Sequence, residues 1–172
     1  MIPKIQNVLY TTDLSKNSAY AFRYAVNTAR QHNAHIHLLH VIGAIFPQEE
    51  ALLLVYIDQK ELDQRRKDAK EEMHRRIEER LKQFAERELK DDPSTLKRIV
   101  GTHVVEGDPA TEILNMADKL DSDIIIMGTH GKGVLSHAFL GSVSEKVLRR
   151  IRKPVYIIPL PEGETDITLR EI

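Results

Sequence analysis

A loop of widely spaced glycines is the part of this 172-residue sequence whose residue types suggest chemistry. An apolar run ends at Gly128, Gly131 follows after two residues, and Gly141 with Ser142 follows after nine more. Glycine lets backbone N–H groups approach a ligand closely, and a helix that begins after the loop adds unpaired donors and a favourable dipole. The pattern therefore predicts an anion-binding site. The alternative is that the glycines form ordinary turns and that Ser142 caps the helix.

The composition indicates one folded domain, which we place at residues 1–160, followed by a polar tail at 161–172. The chain is 41% hydrophobic and 30% charged, and its net charge is −1. Such a neutral balance argues against non-specific nucleic-acid binding, which needs a basic surface. The absence of cysteine excludes disulfides, thiolate catalysis and cysteine-ligated zinc. No segment resembles a signal peptide or an apolar membrane span of about twenty residues. We therefore expect a cytoplasmic protein that does not insert into membranes.

Apolar strand-like segments alternate with helical patterns along the chain. Ser15 and Asp108 are suited to cap two of the helices, and Pro109 fits the first turn of the second. This alternation predicts an α/β fold with an open, largely parallel sheet and helices on both faces. Five strands are predicted, at about residues 5–10, 35–41, 98–105, 124–127 and 155–158.

The second crossover, at about residues 43–92, is longer than a simple connection. Its apolar stretch 51–57 is compatible with a helix or a strand, and we expect it to cover the crevice rim or a neighbouring subunit. A charged helix at about 60–89 follows, and at about 45 Å it would extend past the sheet at one end. Its predicted apolar stripe consists of Leu62, Ala69, Met73, Ile77, Leu81, Phe84 and Leu89.

Ligands of open parallel sheets bind beyond the carboxyl ends of the strands, where the strand order reverses. Asp13 follows the first strand, Val41 closes the second, and Gly128 follows the fourth. If the strand order is 3-2-1-4-5, the first and fourth strands are neighbours at that reversal. Asp13 and the glycine loop would then face one crevice, which favours a ligand site over simple turns.

The spacing Gly128-x2-Gly131-x9-Gly141-Ser142 resembles the nucleotide-binding signature of the universal stress protein family. Asp13 within Thr-Thr-Asp-Leu-Ser, Val41, and the run Gly107-Asp108-Pro109-Ala110 extend the resemblance over nearly the whole chain, apart from the long crossover and the tail. The resemblance implies a five-stranded sheet of order 3-2-1-4-5, like that of the adenine nucleotide alpha hydrolases, and commonly a homodimer. Some family members bind ATP, whereas others lack the glycine signature and do not. This sequence resembles the ATP-binding branch.

The resemblance also implies roles for individual residues. Val41 would contact the adenine, and Asp13 would lie near the adenosine part of ATP. The phosphates would be lined by Gly128, Gly131, Gly141 and Ser142, with the backbone of Val143 and the hydroxyl of Ser144 beside them.

Two further residues of the loop, His130 and Lys132, are close enough in sequence to approach a phosphate. Lys132 would bind a phosphate or point to solvent. A catalytic base at His130 is disfavoured, because the sequence provides no carboxylate partner for it. The sequence also lacks a Gly-Lys-Ser phosphate motif and an evident acid for magnesium, so efficient hydrolysis of ATP is not expected. The expected ligand is ATP, either alone or with Mg²⁺.

Three histidines, His35, His37 and His40, cluster on the second strand. His35 and His37 share one face and His40 takes the other, and no third ligand has suitable spacing. We therefore interpret them as polar strand positions, and His32 and His103 as isolated residues.

These observations favour a nucleotide-binding regulatory protein over an enzyme. The alternatives are a slow ATPase or nucleotidyl-transferring relative that uses the same crevice, and a nucleotide-free dimeric adaptor. The last strand, at 155–158, is apolar on both faces, as expected of a strand covered on both sides. We expect a homodimer to form through this strand.

Overall fold

A parallel sheet of five strands forms the centre of the computed structural model, which describes residues 2–43, 59–129 and 140–159. The strand order is β3-β2-β1-β4-β5, as predicted, and each neighbouring pair is parallel. The order therefore reverses between β1 and β4. The strands are β1 Asn7–Thr12, β2 His35–Ile42, β3 Ile99–Glu106, β4 Ile124–Gly128 and β5 Val155–Ile158.

Helix starts follow the capping pattern of the sequence. Ser15 and Asp108 cap α1 and α4, as predicted, and each side chain accepts a backbone N–H of the first turn. A short helix that was not predicted forms after Asp92, because this residue caps it and Pro93 fits its first turn. The helices are α1 Lys16–His32, α2 Gln59–Glu88, α3 Pro93–Leu96, α4 Pro109–Lys119 and α5 Ser142–Arg150.

Two apolar cores hold the helices against opposite faces of the sheet. Helices α1 and α2 pack on one face, where Tyr10, Phe22 and Phe84 form a chain of ring contacts with centroid distances of 5.2 and 5.0 Å. Helices α4 and α5 cover the other face through residues such as Ile113 and Val147. Alternating side chains of the central strands supply both cores, which explains their nearly continuous apolar sequence.

The apolar stripe predicted for α2 is correct only in the C-terminal half of the helix. Leu81, Phe84 and Leu89 are buried, whereas Ala69 is exposed. The helix passes the end of β3, where Lys70 Nζ and His74 Nε2 lie 2.6 and 2.7 Å from the Glu106 carboxylate. The hydrogen bond from Lys70 lowers the pKa of Glu106. Charged contacts therefore replace apolar packing along this part of the helix.

Phe84→Ala should lower the free energy of unfolding by about 3–5 kcal/mol, because the ring is fully buried and its loss leaves a cavity. Met73→Ala, at a half-buried position on the same helix, should cost about 1 kcal/mol or less. Urea denaturation of both variants measures the difference. Equal losses would show that the two halves of α2 pack alike.

Some predictions concern residues outside the described ranges, namely the conformation of 51–57 and the polar tail. Within the described ranges no helix is long and apolar enough to cross a membrane. Within the single chain Ile158 of β5 is buried, whereas Tyr156 is 44% exposed, so the coverage of this strand by a second copy stays a prediction. Tyr156 is exposed because β5 is the last strand of the sheet.

Candidate functional site

A crevice of about 360 Å³ lies at the carboxyl ends of β1, β2 and β4, where the strand order reverses. Its walls also include the N-terminal turns of α1, α4 and α5. The predicted site residues that line it are Asp13, Val41, Gly128, Gly141, Ser142, Val143 and Ser144. The other predicted site residues, His130, Gly131 and Lys132, lie outside the described ranges. The structure thus brings together seven residues from four separate segments of the sequence.

One end of the crevice is apolar, and most of its residues were not predicted. Leu39 and Val41 of β2 face it together with Met127 of β4. Pro109 and Ile113 of α4 close the opposite side. The spacing of these residues in the sequence could have indicated that they line the crevice together. Residues two apart on a strand, or four apart on a helix, share one face. This end is suited to a flat, apolar part of a ligand.

Three helices direct their N-termini towards the crevice, but their first turns are capped differently. Ser15 Oγ accepts the Ser18 N–H of α1 at 3.3 Å, and Asp108 Oδ1 accepts the Thr111 N–H of α4 at 3.0 Å. Helix α5 instead begins after Gly141, which provides no side-chain cap. The idea that Ser142 caps this helix is therefore wrong, because Gly141 occupies the capping position.

The start of α5 consequently presents backbone donors to the crevice. The first N–H groups of a helix have no partner within the helix, and here these include the N–H groups of Ser142 and Val143. Gly141 itself donates its N–H to the Thr129 carbonyl at 2.7 Å. The helix dipole adds partial positive charge at the same point. An anion is the chemical group that this end of the crevice can best hold.

Ser144 fixes the start of α5 to the end of β4. Its buried hydroxyl donates to the Gly128 carbonyl at 3.0 Å. The hydroxyl proton is thus directed at the strand end, while the residue still lines the crevice. Ser144 therefore positions the helix terminus.

Ser144→Ala should lower the free energy of unfolding by about 1–3 kcal/mol, because the Gly128 carbonyl loses a buried hydrogen bond. The same substitution at the exposed Ser142 should change stability by no more than about 0.5 kcal/mol. Thermal or urea unfolding distinguishes the two serines. Indistinguishable stabilities would contradict the positioning role of Ser144.

The turn between β1 and α1 holds Asp13 at the crevice. Asp13 Oδ1 accepts the N–H and the hydroxyl of Ser15 at 3.1 and 2.5 Å. Leu14 has a φ of 68°, which is unusual for a residue with a side chain, and its N–H donates to Thr12 Oγ1 at 2.9 Å. Such strained turns persist where surrounding contacts enforce them, often at functional sites.

Gly128 lies at a close contact between a helix and a strand. A Cβ atom at this position would lie 3.0 Å from Asn17 Nδ2 on α1. The absence of a side chain therefore lets the start of α1 approach the end of β4. This packing explains the glycine at position 128 differently from the sequence analysis, which attributed it to the close approach of a ligand.

The structure differs from the sequence-based interpretation of the histidines at one residue, His103. His40 Nδ1 lies 2.8 Å from the Thr12 carbonyl, as suits a polar strand position. His103 is not isolated, because its Nε2 lies 3.2 Å from His37 Nδ1 on the neighbouring strand. The sequence could not show this contact, since it depends on the pairing of β2 with β3. Within the described ranges, no group of three or more histidine and acidic residues could hold a metal ion.

Comparison with known proteins assigns the chain to a family. A model of the universal stress protein family matches residues 4–159. The universal stress protein MJ0577 of Methanocaldococcus jannaschii is 30% identical over 156 residues, covering 89% of this chain and 94% of that protein. The solved structure of MJ0577 matches with a TM-score of 0.59 and 26% identity, covering 94% of this chain and all of that one.

Two more distant structures share the fold. Universal stress protein UspA from Lactobacillus plantarum has a TM-score of 0.61 at 23% identity, covering 91% of this chain and 99% of that one. A universal stress protein solved in complex with cAMP has a TM-score of 0.50 at 19% identity, covering 91% of this chain and 98% of that one. The extent of the family match, together with the 30% identity to MJ0577, leads to one conclusion. This chain belongs to the universal stress protein family.

Proposed function

We propose that this protein binds ATP in the crevice and acts as a nucleotide-dependent regulatory protein. The observation that carries the proposal is the start of α5, which lacks a side-chain cap where α1 and α4 have one. The phosphates would accept hydrogen bonds from the backbone of Ser142 and Val143. The loop residues Gly131, His130 and Lys132 belong to the same proposed site by their position in the sequence.

The opposite end of the crevice fits the base. Leu39, Val41, Met127, Pro109 and Ile113 provide apolar contacts on two sides. Asp13 also lines the crevice and could accept a hydrogen bond from a ribose hydroxyl. A volume of about 360 Å³ also falls within the usual range of small-molecule sites. An apolar end, a carboxylate and an uncapped helix thus match the three parts of a nucleotide.

A dedicated magnesium site does not fit the described residues. Asp13 is the carboxylate that lines the crevice there, and it already accepts two hydrogen bonds from Ser15. Mg²⁺ usually requires one or more carboxylates in addition to the phosphates. We therefore assign no metal-dependent step to this crevice.

Regulation through binding is favoured over catalysis. Universal stress proteins are generally not enzymes, which agrees with the prediction made from the sequence. Among the described residues that line the crevice, Asp13 is the acidic or basic side chain, and its carboxylate accepts hydrogen bonds from Ser15. No assigned general base therefore activates the hydroxyl of Ser142 or Ser144. A slow ATPase and a nucleotide-free adaptor remain the alternatives to test, and the cytoplasmic location stays a prediction.

Mass spectrometry of nucleotide released from protein purified without added nucleotide tests this function directly. We expect intact ATP to be recovered and the emptied protein to bind ATP in a calorimeter. Titrations with ADP, GTP and cAMP would define the selectivity, cAMP being included because one structural relative was solved with it. Recovery of ADP alone would favour turnover. Failure to recover or bind any of these nucleotides would support the adaptor.

A further inference from the structure

We propose that His37 and His103 together bind one divalent first-row transition-metal ion, at a site separate from the crevice. The two imidazoles project from neighbouring strands, and His37 Nδ1 lies 3.2 Å from His103 Nε2. Neither histidine lines the crevice. The site is therefore independent of the proposed nucleotide.

The separation of the two nitrogens suits one shared metal ion. Imidazole nitrogens bind zinc at about 2.0–2.1 Å, and an ion at that distance from both would make an N–metal–N angle of about 100°. This angle lies between those of tetrahedral and tetragonal coordination, which Zn²⁺ and Cu²⁺ or Ni²⁺ respectively prefer. The spacing of the two nitrogens thus fits two ligands of one ion.

Strand pairing explains why the nitrogens converge. His37 pairs with Gly101 and Leu39 pairs with His103, so the two histidines are diagonal neighbours on one face of the sheet. A Cβ at Gly101 would lie 2.6 Å from His103 Nε2 and 2.9 Å from His37 Nδ1. Both nitrogens therefore point over the one residue between them that has no side chain. A larger residue there would push the rings apart.

The protonation of the pair also favours metal binding. Burial lowers the pKa of His37, and the nearby His103 and His35 lower it further. Burial lowers the pKa of His103 as well, with a further decrease from Lys119 and an opposing effect from Glu78. A lowered pKa favours the neutral ring, which is the form in which imidazole binds a metal ion.

Binding of the metal ion would require no protein ligand other than the two histidines. Without metal, one ring donates its N–H to the other, and with metal both lone pairs face the ion while the protons occupy the outer nitrogens. The described residues supply no third ligand, so water would complete the coordination. Half-burial of both histidines leaves room for such water. The pair is therefore expected to bind metal reversibly.

Calorimetric titration of the untagged, full-length protein with Ni²⁺ tests the proposal, in nucleotide-free buffer that does not chelate metal. We expect saturable binding of one ion at pH 7.5 and weaker binding at pH 5, because protons compete with the metal for the imidazole nitrogens. His37→Gln and His103→Gln should each abolish that binding. His35→Gln is the matched control, because His35 is exposed on the same face of β2 and should leave it unchanged. Circular dichroism would verify that each variant is folded.

A second pair of measurements distinguishes a built site from scattered histidines. Gly101→Ala keeps both ligands but inserts a methyl group between them, and it should weaken binding by at least about tenfold. Electron paramagnetic resonance of the Cu²⁺ complex should show two coordinated nitrogens. The proposal is overturned if the wild-type protein binds no ion, if either glutamine variant binds normally, or if His35→Gln is equally impaired.

Discussion

Gly141→Val should abolish ATP binding while the protein remains folded. Gly141 has φ −70° and ψ 156°, a backbone conformation that valine also adopts readily. The substitution should therefore leave the backbone unstrained. The new side chain would stand at the start of α5, where the phosphates are expected to approach the N–H groups of Ser142 and Val143. Isothermal titration calorimetry of the nucleotide-free variant measures the loss.

Two control variants make the result specific. Gly43→Val adds the same side chain outside the crevice, at a position where no atom of the described residues lies within 4 Å of the new Cβ, so ATP binding should be unchanged. Ser142→Ala removes one hydroxyl and should weaken ATP binding by about 1 kcal/mol, or about fivefold. Gly128→Val is unsuitable, because its side chain would collide with Asn17 and disturb the packing of α1. Normal ATP affinity in folded Gly141→Val would refute the proposed phosphate site.

Local chemistry explains why much of the fold was predictable from the sequence. Ser15 and Asp108 mark helix starts through contacts within three residues, which a sequence displays directly. The alternation of strands and helices then restricts the sheet to parallel pairing. The resemblance to a known family contributed the strand order 3-2-1-4-5. The prediction of which residues line the crevice depended on that order. The sequence indicates where each strand ends, but it does not indicate which strands are neighbours.

Features that depend on distant contacts were missed for a physical reason. Ala69 and Phe84 have the same periodicity in α2, but only the second lies over the sheet. The contact between His37 and His103 depends on the register of two strands separated by 66 positions along the chain. The partner of the Ser144 hydroxyl likewise lies 16 residues away in the sequence. Periodicity in a sequence indicates which face of a helix or strand is buried. It does not indicate which other elements pack against that face, and these contacts depend on those elements.

The outer edge of β5 has the chemistry of a two-fold interface. The carbonyls of Pro154 and Ile158 accept N–H groups of Ile125 and Thr129, so alternation directs the backbone groups of Val155 and Ile157 outwards. Within the described ranges, no strand pairs with this edge. Pro159 lacks an N–H and limits the run of outward donors to these two residues. A short antiparallel pairing between two copies would satisfy them, with Val155 of each copy opposite Ile157 of the other.

This pairing places Tyr156 on the two-fold axis, opposite Tyr156 of the second copy. Their Cα atoms would be about 4.5 Å apart, as in pairs that do not share hydrogen bonds. Tyr156→Lys would therefore bring two ammonium groups together and should convert the dimer to a monomer. The exposed tyrosine is a better position for this test than the buried Ile158, where a lysine would disrupt the core. Because Tyr156 is 44% exposed, the lysine variant should remain folded, which circular dichroism verifies.

Val100→Lys is the matched control, because Val100 is 52% exposed on β3, the strand at the opposite edge of the sheet. Sedimentation velocity at micromolar concentration should show a dimer for the wild-type protein and for Val100→Lys, and a monomer for Tyr156→Lys. If Val100→Lys is the only monomeric variant, the dimer interface lies at β3 instead of β5. A monomeric wild-type protein would instead indicate that the edge of β5 is covered within one copy, for which residues 161–172 are the nearest candidate. Deleting those residues should then expose the edge and produce the dimer.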